Sequence, residues 1–294
     1  MTSAVFVPLH FSYVQAIFTG LIQGVTELFP VSSLGHAVLM PAWVGGSWRV
    51  FASSDRYFLV TIALHLASAI ALFLVFWKRW LRLLAAFIQG LIRRDFTKTG
   101  FRVLWLILVA TVPVALLGYL FGDYFQTLFG KPLAAASFLL LNGFILIGAE
   151  RLSRSHGTYV DPDVAIAERV SVGQAFVVGV GQSAALFAGI SRFGITMSFG
   201  LIRGLSRSVA SDFAFLLAFP VILGASITKL PKLASSDLHG MVGPIIVAAV
   251  VAFIGTFVAI KFLVKWFKTN TLYPFAIYCL IIGGASLLKF GLFN

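Results

Sequence analysis

Apolar runs approaching twenty residues recur along the whole chain. Ten helical segments are expected, at about 11–29, 33–45, 57–77, 103–121, 133–150, 172–188, 193–204, 211–228, 242–264 and 273–292. Six of these are long and nearly free of charge: 57–77, 103–121, 133–150, 211–228, 242–264 and 273–292. They are the predicted spans. The other four form two pairs, 11–29 with 33–45 and 172–188 with 193–204. The second helix of each pair is too short to cross, and each pair is broken by a small polar turn, P-V-S-S or A-G-I-S-R. Hydrogen-bonding backbone at membrane depth is tolerated only when it is buried in protein or lines a wet cavity. Two re-entrant hairpins satisfy that condition. Full spans joined by short exposed loops are the competing layout.

Composition fixes the class. The 294 residues are 60% hydrophobic and 11% charged, against about 25% charged in soluble domains. The expected fold is an all-α polytopic membrane protein in one domain, 1–294. The net charge of +12 does not point to nucleic acid, because no basic stripe carries interleaved exposed aromatics. The basic residues fall in short loops between apolar runs, as topology demands. Cys279 is the single cysteine, so no intramolecular disulfide is possible and no CxxC metal spacing exists. No Lys or Arg precedes the first apolar run, so no cleavable secretory signal is expected.

Charge also orients the chain. With only the six long segments crossing, the expected loop 78–102 lies on one side with Arg151, Arg154, Arg169, Lys261, Lys265 and Lys268, thirteen basic residues in all. Six fall opposite: Arg49, Arg56, Lys131, Lys229, Lys232 and Lys289. The positive-inside rule places the thirteen in the cytoplasm. The first hairpin then enters from outside and the second from inside. Each precedes three spans, so the halves, roughly 11–150 and 172–292, form an inverted-topology repeat. Gly20, Gln23, Ser32 and Gly35 recur at one common offset as Gly179, Gln182, Ser191 and Gly194. Inverted repeats place their sites at mid-membrane, where broken helices meet.

The polar residues gather at the two turns. Pro30 ends the first helix, and a second starts near Ser32 or Ser33 with a serine N-cap, leaving backbone N–H groups as an anion site. Ser191 repeats the device, and Arg192 adds a permanent planar cation suited to phosphate. Glu27 follows Gln23 by one turn. A carboxylate in an apolar hairpin marks function by default; Glu27 is a candidate base, cation ligand or partner of Arg192, with Gln23 completing a metal shell. A structural Glu27–Arg192 pair is the alternative. Ser33 is the candidate nucleophile with His36 three residues on, against capping plus a satisfied histidine. Thr196 offers a hydroxyl one turn after Arg192, or simply packs. Arg207 reaches the phosphate or pairs with Asp212, and pairing is favoured. His65 reads as a helix-packing hydrogen-bonder. His10, His156 and His239 read as loop or terminal residues, and Asn142 and Glu150 carry no assignment.

The stretch Q-G-V-T-E-L-F-P-V-S-S-L-G-H (23–36) resembles the first signature of the bacterial undecaprenyl-pyrophosphate phosphatase, or bacitracin-resistance, family: an E/Q-x-x-x-E pair followed by P-V-S-S-x-G-H. A-G-I-S-R-F-G-I-T (188–196) is similar to its second signature, P-G-x-S-R-S-x-x-T, and the likeness continues through 204–220. The resemblance implies an integral enzyme of the bacterial cytoplasmic membrane, its site facing outward. It would remove one phosphate from undecaprenyl pyrophosphate and so regenerate the carrier for peptidoglycan precursors. It also implies a divalent cation, Mg²⁺ or Ca²⁺. Glu27 matches the functional carboxylate, Ser33 the essential serine, His36 the motif histidine and Arg192 the phosphate-binding arginine. Gln23, Ser32, Ser191, Thr196 and Arg207 match supporting positions. Gln23 stands where glutamate often does, Ala188 replaces the motif proline and Phe193 the second serine of S-R-S. Partners are the polyprenyl pyrophosphate and membrane lipids; a homodimer stays open. So do water as the nucleophile and a polyprenyl-phosphate transporter on the same fold. An acid phosphatase of the PAP2 type is excluded, because the second histidine and following aspartate of that chemistry are missing.

Overall fold

A computed structural model describes residues 11–128, 130–153, 161–235, 238 and 240–292. Arg154, His10, His156 and His239 lie outside the described residues. Among those described there are twelve α-helices, one short 3-10 turn and no strand. In chain order these are α1 Tyr13–Thr26, α2 Ser33–Val44, α3 Gly46–Ala52, α4 Asp55–Arg93, α5 Thr99–Leu128, α6 Pro132–Leu152, α7 Pro162–Arg169, α8 Val172–Gln182, α9 Arg192–Ile202, α10 Arg207–Ser235, α11 Val242–Trp266 and α12 Tyr273–Leu292. The 3-10 turn, Ser183–Leu186, follows α8. Six helices, α4, α5, α6, α10, α11 and α12, are long and apolar enough to cross a membrane. The chain is therefore a multi-pass helical membrane protein.

The expected loop 78–102 is mostly helix. α4 runs to Arg93 and α5 resumes at Thr99. The apolar run stops at residue 77 because the hydrocarbon stops there; the Arg-, Leu- and Ala-rich continuation favours helix in water as well. The short helices α3 and α7 were not expected. α7 has a local cause: Asp161 caps it, accepting from the backbone N–H groups of Asp163 and Val164, and Pro162 fills the first turn. α7 meets α8 at a bend of 101°. It is held by Arg79 of α4, whose Nε and Nη2 donate to Asp163 Oδ1 at 2.9 and 2.6 Å while Nη1 donates to Asp212 Oδ2 of α10 at 3.1 Å. Arg207 therefore does not pair with Asp212. Its guanidinium donates to Glu150 Oε1 at the end of α6, and Glu150 Oε2 accepts from the Leu272 N–H at 2.9 Å.

α1 and α8 begin identically. Ser12 and Gln15 form a reciprocal capping box at α1, and Ser171 and Gln174 form one at α8. The offset of 159 residues (171 against 12) is the one that relates Gly20 to Gly179. Both glycines serve close helix approach. A Cβ on Gly20 would lie 2.3 Å from the Ala248 carbonyl oxygen of α11, and one on Gly179 would lie 2.4 Å from that of Ala110 in α5. Small residues at such crossings let backbones touch where no hydrophobic effect drives association. We predict that Gly20→Ala and Gly179→Ala each destabilise by about 1–3 kcal/mol, lowering the unfolding midpoint in detergent. Gly148→Ala, where an added Cβ meets no atom within 4 Å, leaves the midpoint within about 1 °C or raises it.

Candidate active site

The first turn lies between α1 and α2. Pro30 follows the end of α1, and Ser32 takes a left-handed φ of 67° that few non-glycine residues adopt. Its hydroxyl offsets the strain: Oγ accepts from the Gly35 N–H at 3.2 Å, capping α2, and from the Gly189 N–H of the second turn at 3.0 Å. Gly189 has φ +116°, and a Cβ there would sit 2.5 Å from the Ala135 carbonyl. Ser191 caps α9 by accepting from the Gly194 N–H at 3.1 Å and donates to the Phe29 carbonyl at 3.2 Å. The two serines thus fasten one turn to the other.

Asn142, a fully buried residue of α6, completes the clamp. Its Nδ2 donates to the Pro30 carbonyl at 2.9 Å, and its Oδ1 accepts from the Ser191 N–H at 3.0 Å. Sequence reasoning left it unassigned. The available signal was an amide in the middle of an otherwise apolar span, which at that depth must find buried partners.

Glu27 lies at the centre of the polar cluster, its side chain 5% exposed. Oε2 accepts from Gln23 Nε2 at 2.8 Å and from the Ser33 hydroxyl at 2.5 Å. Oε1 is 3.8 Å from Arg192 Nη1, too far for a hydrogen bond. Arg192 is held only loosely: its Nε and Nη1 are buried and have no hydrogen-bond partner. Buried guanidinium donors are seldom left so. The guanidinium lies beside the same carboxylate that Ser33 touches, and its donors without hydrogen bonds are the kind that an anion with several acceptor oxygens would use.

His36 faces away from Ser33. Its Nδ1 donates to the Ser32 carbonyl at 2.7 Å, which leaves Nε2 to accept from the Tyr278 hydroxyl of α12 at 2.7 Å. The carboxylate, not the imidazole, is the partner of the Ser33 hydroxyl. His65 of α4 does enter the cluster, with Nε2 3.4 Å from Glu27 Oε2 and Nδ1 donating to the Thr61 carbonyl at 2.7 Å. Helical periodicity alone gave no warning, because it cannot say which neighbour a span turns toward. Thr196 is buried in α9 one turn after Arg192. Arg207 is not brought to the cluster: its partner Glu150 stands eight residues, about 12 Å along α6, from Asn142.

A divalent cation is compatible with these residues. No three His, Cys, Asp or Glu side chains converge among the described residues. Mg²⁺-type sites, however, often use one or two carboxylates and take phosphate oxygens for the rest. Glu27 supplies the carboxylate. Gln23 turns its NH₂ toward Glu27, so its carbonyl remains available for an ion.

The clamp makes a prediction. Asn142→Leu leaves a buried N–H at Ser191 without a partner and the Pro30 carbonyl with only the weak Cys279 thiol at 3.8 Å. We expect about 2–5 kcal/mol of destabilisation, read as a lowered thermal midpoint, with faster hydrogen exchange at residues 29–33 and 188–193 than elsewhere.

Comparison with known proteins identifies the family. Residues 16–285 match the family model described as bacitracin resistance protein BacA. The chain is 43% identical to a protein named undecaprenyl-diphosphatase from Mycolicibacterium paratuberculosis, over 95% of this chain and 97% of that one. It is 39% identical to undecaprenyl-diphosphatase 2 of Frankia alni, over 96% and 98%. It is 38% identical to undecaprenyl-diphosphatase of Granulibacter bethesdensis, over 93% and 95%. The chain belongs to the BacA bacitracin-resistance family.

Proposed function

We propose that this chain hydrolyses undecaprenyl pyrophosphate to undecaprenyl phosphate and phosphate, recycling the lipid carrier of cell-wall synthesis in the bacterial cytoplasmic membrane. The observation that carries the reading is the pair of unpartnered, buried Arg192 donors beside a hydrogen-bonded Glu27–Ser33 couple. Together these form an anion receptor with a nucleophile and its base at one edge. The names of the relatives support the substrate.

The architecture that fits is an inverted repeat of six spans and two re-entrant hairpins, α1–α2 and α8–α9. The matched capping boxes and glycine crossings support it, as does the exchange of partners: α1 packs on α11 and α8 on α5, so each hairpin leans on the second span of the other half. The basic ends of α4 and α5, read as cytoplasmic by the positive-inside rule, support entry of the first hairpin, and so the site, from the outer side.

In the mechanism that follows, Arg192 binds the terminal phosphoryl group and neutralises its charge as the bond to the leaving phosphate lengthens. Glu27 accepts the Ser33 proton as Oγ forms a bond to the terminal phosphorus and the bridging P–O bond breaks, releasing undecaprenyl phosphate. Glu27 passes that proton to the departing undecaprenyl phosphate. The freed carboxylate then deprotonates a water whose oxygen bonds to the phosphoserine phosphorus as the Ser33 Oγ–P bond breaks, and Glu27 returns the proton to Oγ. Ser32, Ser191 and Asn142 hold the two turns so that Ser33 and Arg192 stay opposed. His36 and Tyr278 fix the start of α2. A divalent cation, Mg²⁺ or Ca²⁺, would add charge neutralisation at the pyrophosphate when held by Glu27 with Gln23. Apolar spans flank the site for the polyprenyl tail.

Purified protein in detergent with undecaprenyl pyrophosphate tests this by phosphate release. Ser33→Ala, Glu27→Gln and Arg192→Ala should each lower kcat/KM by about 10³-fold or more. His36→Gln, which removes a contact to Tyr278 rather than to Ser33, should cost about tenfold. No release by the unaltered protein under any cation condition would discard the enzyme reading. Equal release by all variants would discard the site.

A further inference from the structure

We propose that His65 is a ligand to the divalent cation of this site, so that Glu27 and His65 hold the ion together and the imidazole shifts its preference away from Ca²⁺ toward ions that accept nitrogen ligands. The inference deepens the proposed function and rests on that reading for the position of the ion.

Three observations carry it. First, the tautomer of His65 is fixed. The Thr61 carbonyl can only accept, so Nδ1, 2.7 Å away, carries the proton and Nε2 presents a lone pair in the neutral ring. A backbone carbonyl holding the far nitrogen is the usual way a ligating imidazole is oriented. Second, that lone pair faces an acceptor. Nε2 is 3.4 Å from Glu27 Oε2, longer than an ordinary hydrogen bond. Oε2 already accepts from Gln23 and Ser33, so an imidazole nitrogen held this close to the carboxylate calls for a positive charge shared by the two groups. Third, Glu27 is the one carboxylate at the turn, and Gln23 turns its NH₂ to it. A nitrogen ligand from α4 adds a second strong donor. Imidazole suits borderline ions such as Zn²⁺ better than Ca²⁺, which prefers oxygen; Mn²⁺, an oxygen-preferring ion that also accepts imidazole, is the paramagnetic probe.

The test uses the full-length protein in detergent, stripped with chelator, with Mn²⁺ as the probe. Binding is titrated by the EPR signal of free Mn²⁺, with and without methylenediphosphonate as a non-hydrolysable pyrophosphate. Pulsed EPR then reads nitrogen coupling to the bound ion. We expect one Mn²⁺ per chain with a ¹⁴N coupling that becomes ¹⁵N when histidine is ¹⁵N-labelled. His65→Gln should lose that coupling and bind Mn²⁺ about ten- to a hundred-fold more weakly, while Ca²⁺ affinity changes less than about threefold. Glu27→Gln should lose Mn²⁺ binding.

The proposal is overturned by any of three results: no Mn²⁺ bound by the unaltered protein with or without the diphosphonate, bound Mn²⁺ with no nitrogen coupling, or unchanged Mn²⁺ affinity in His65→Gln. The last two are what an imidazolium–carboxylate pair would give. The same coupling in labelled His36→Gln excludes the neighbouring imidazole, and His65→Asn gives a second replacement should His65→Gln fail to fold. Phosphate release from undecaprenyl pyrophosphate, measured in parallel, separates the two readings. Hydrolysis without nitrogen coupling sinks only the ligand. Nitrogen coupling without hydrolysis sinks only the enzyme.

Discussion

A carboxylate buried among membrane helices has to be compensated, and the arrangement of this molecule follows from how Glu27 is compensated. An isolated ionised group at such depth costs several kcal/mol. Here Gln23 comes from the same helix, Ser33 from the next, His65 from α4 and Arg192 from α9. No single segment supplies enough. The compensation works only if two turns from distant parts of the chain stay opposed, and that requirement explains Asn142. One amide on α6 satisfies the carbonyl of one turn and the N–H of the other, so neither turn can move away without exposing a buried polar group.

Much of the fold was legible because hydrocarbon imposes a simple rule on composition. All six predicted spans coincide with the six long apolar helices. The turns were legible too, since P-V-S-S and A-G-I-S-R place prolines, glycines and hydroxyls where a helix must stop and restart. The same rule misjudged α4, because it reports where the membrane ends rather than where the helix ends. Its signal vanished at Lys78 although helix continues to Arg93.

The site was legible residue by residue but not in its pairings. Ser33 and His36 share a helix turn, and spacing alone suggested that they meet. The structure turns His36 to Tyr278, 242 positions on, and gives Ser33 to Glu27. Arg207 and Asp212 are five positions apart, yet each takes a distant partner, Glu150 and Arg79. In each case the local expectation lost to a long-range partner set by how the helices pack. His65 shows the limit from the other side: one imidazole in an apolar span carries no spacing signal, and only the crossing of α4 past the first turn gives it a neighbour.

The proposed repeat would relate two similar helix–turn–helix pairs that carry different side chains. At an offset of 159 residues, Ser33 corresponds to Arg192, Glu27 to Leu186 and His36 to Ile195, while the capping serines and the glycines correspond to themselves. What is shared is therefore the scaffold: helix starts, a capped turn and a close crossing. What differs is the charge. Gln182 spends its amide on the Ala110 carbonyl, while its counterpart Gln23 spends its own on Glu27. A site with an anion-binding cation at one tip and a nucleophile with its base at the other needs opposite chemistry at equivalent positions. Two identical hairpins would bring like charges together, one carboxylate against another, at a depth where water cannot screen them. Loss of symmetry at these few positions is the electrostatic condition for the two turns to meet at all.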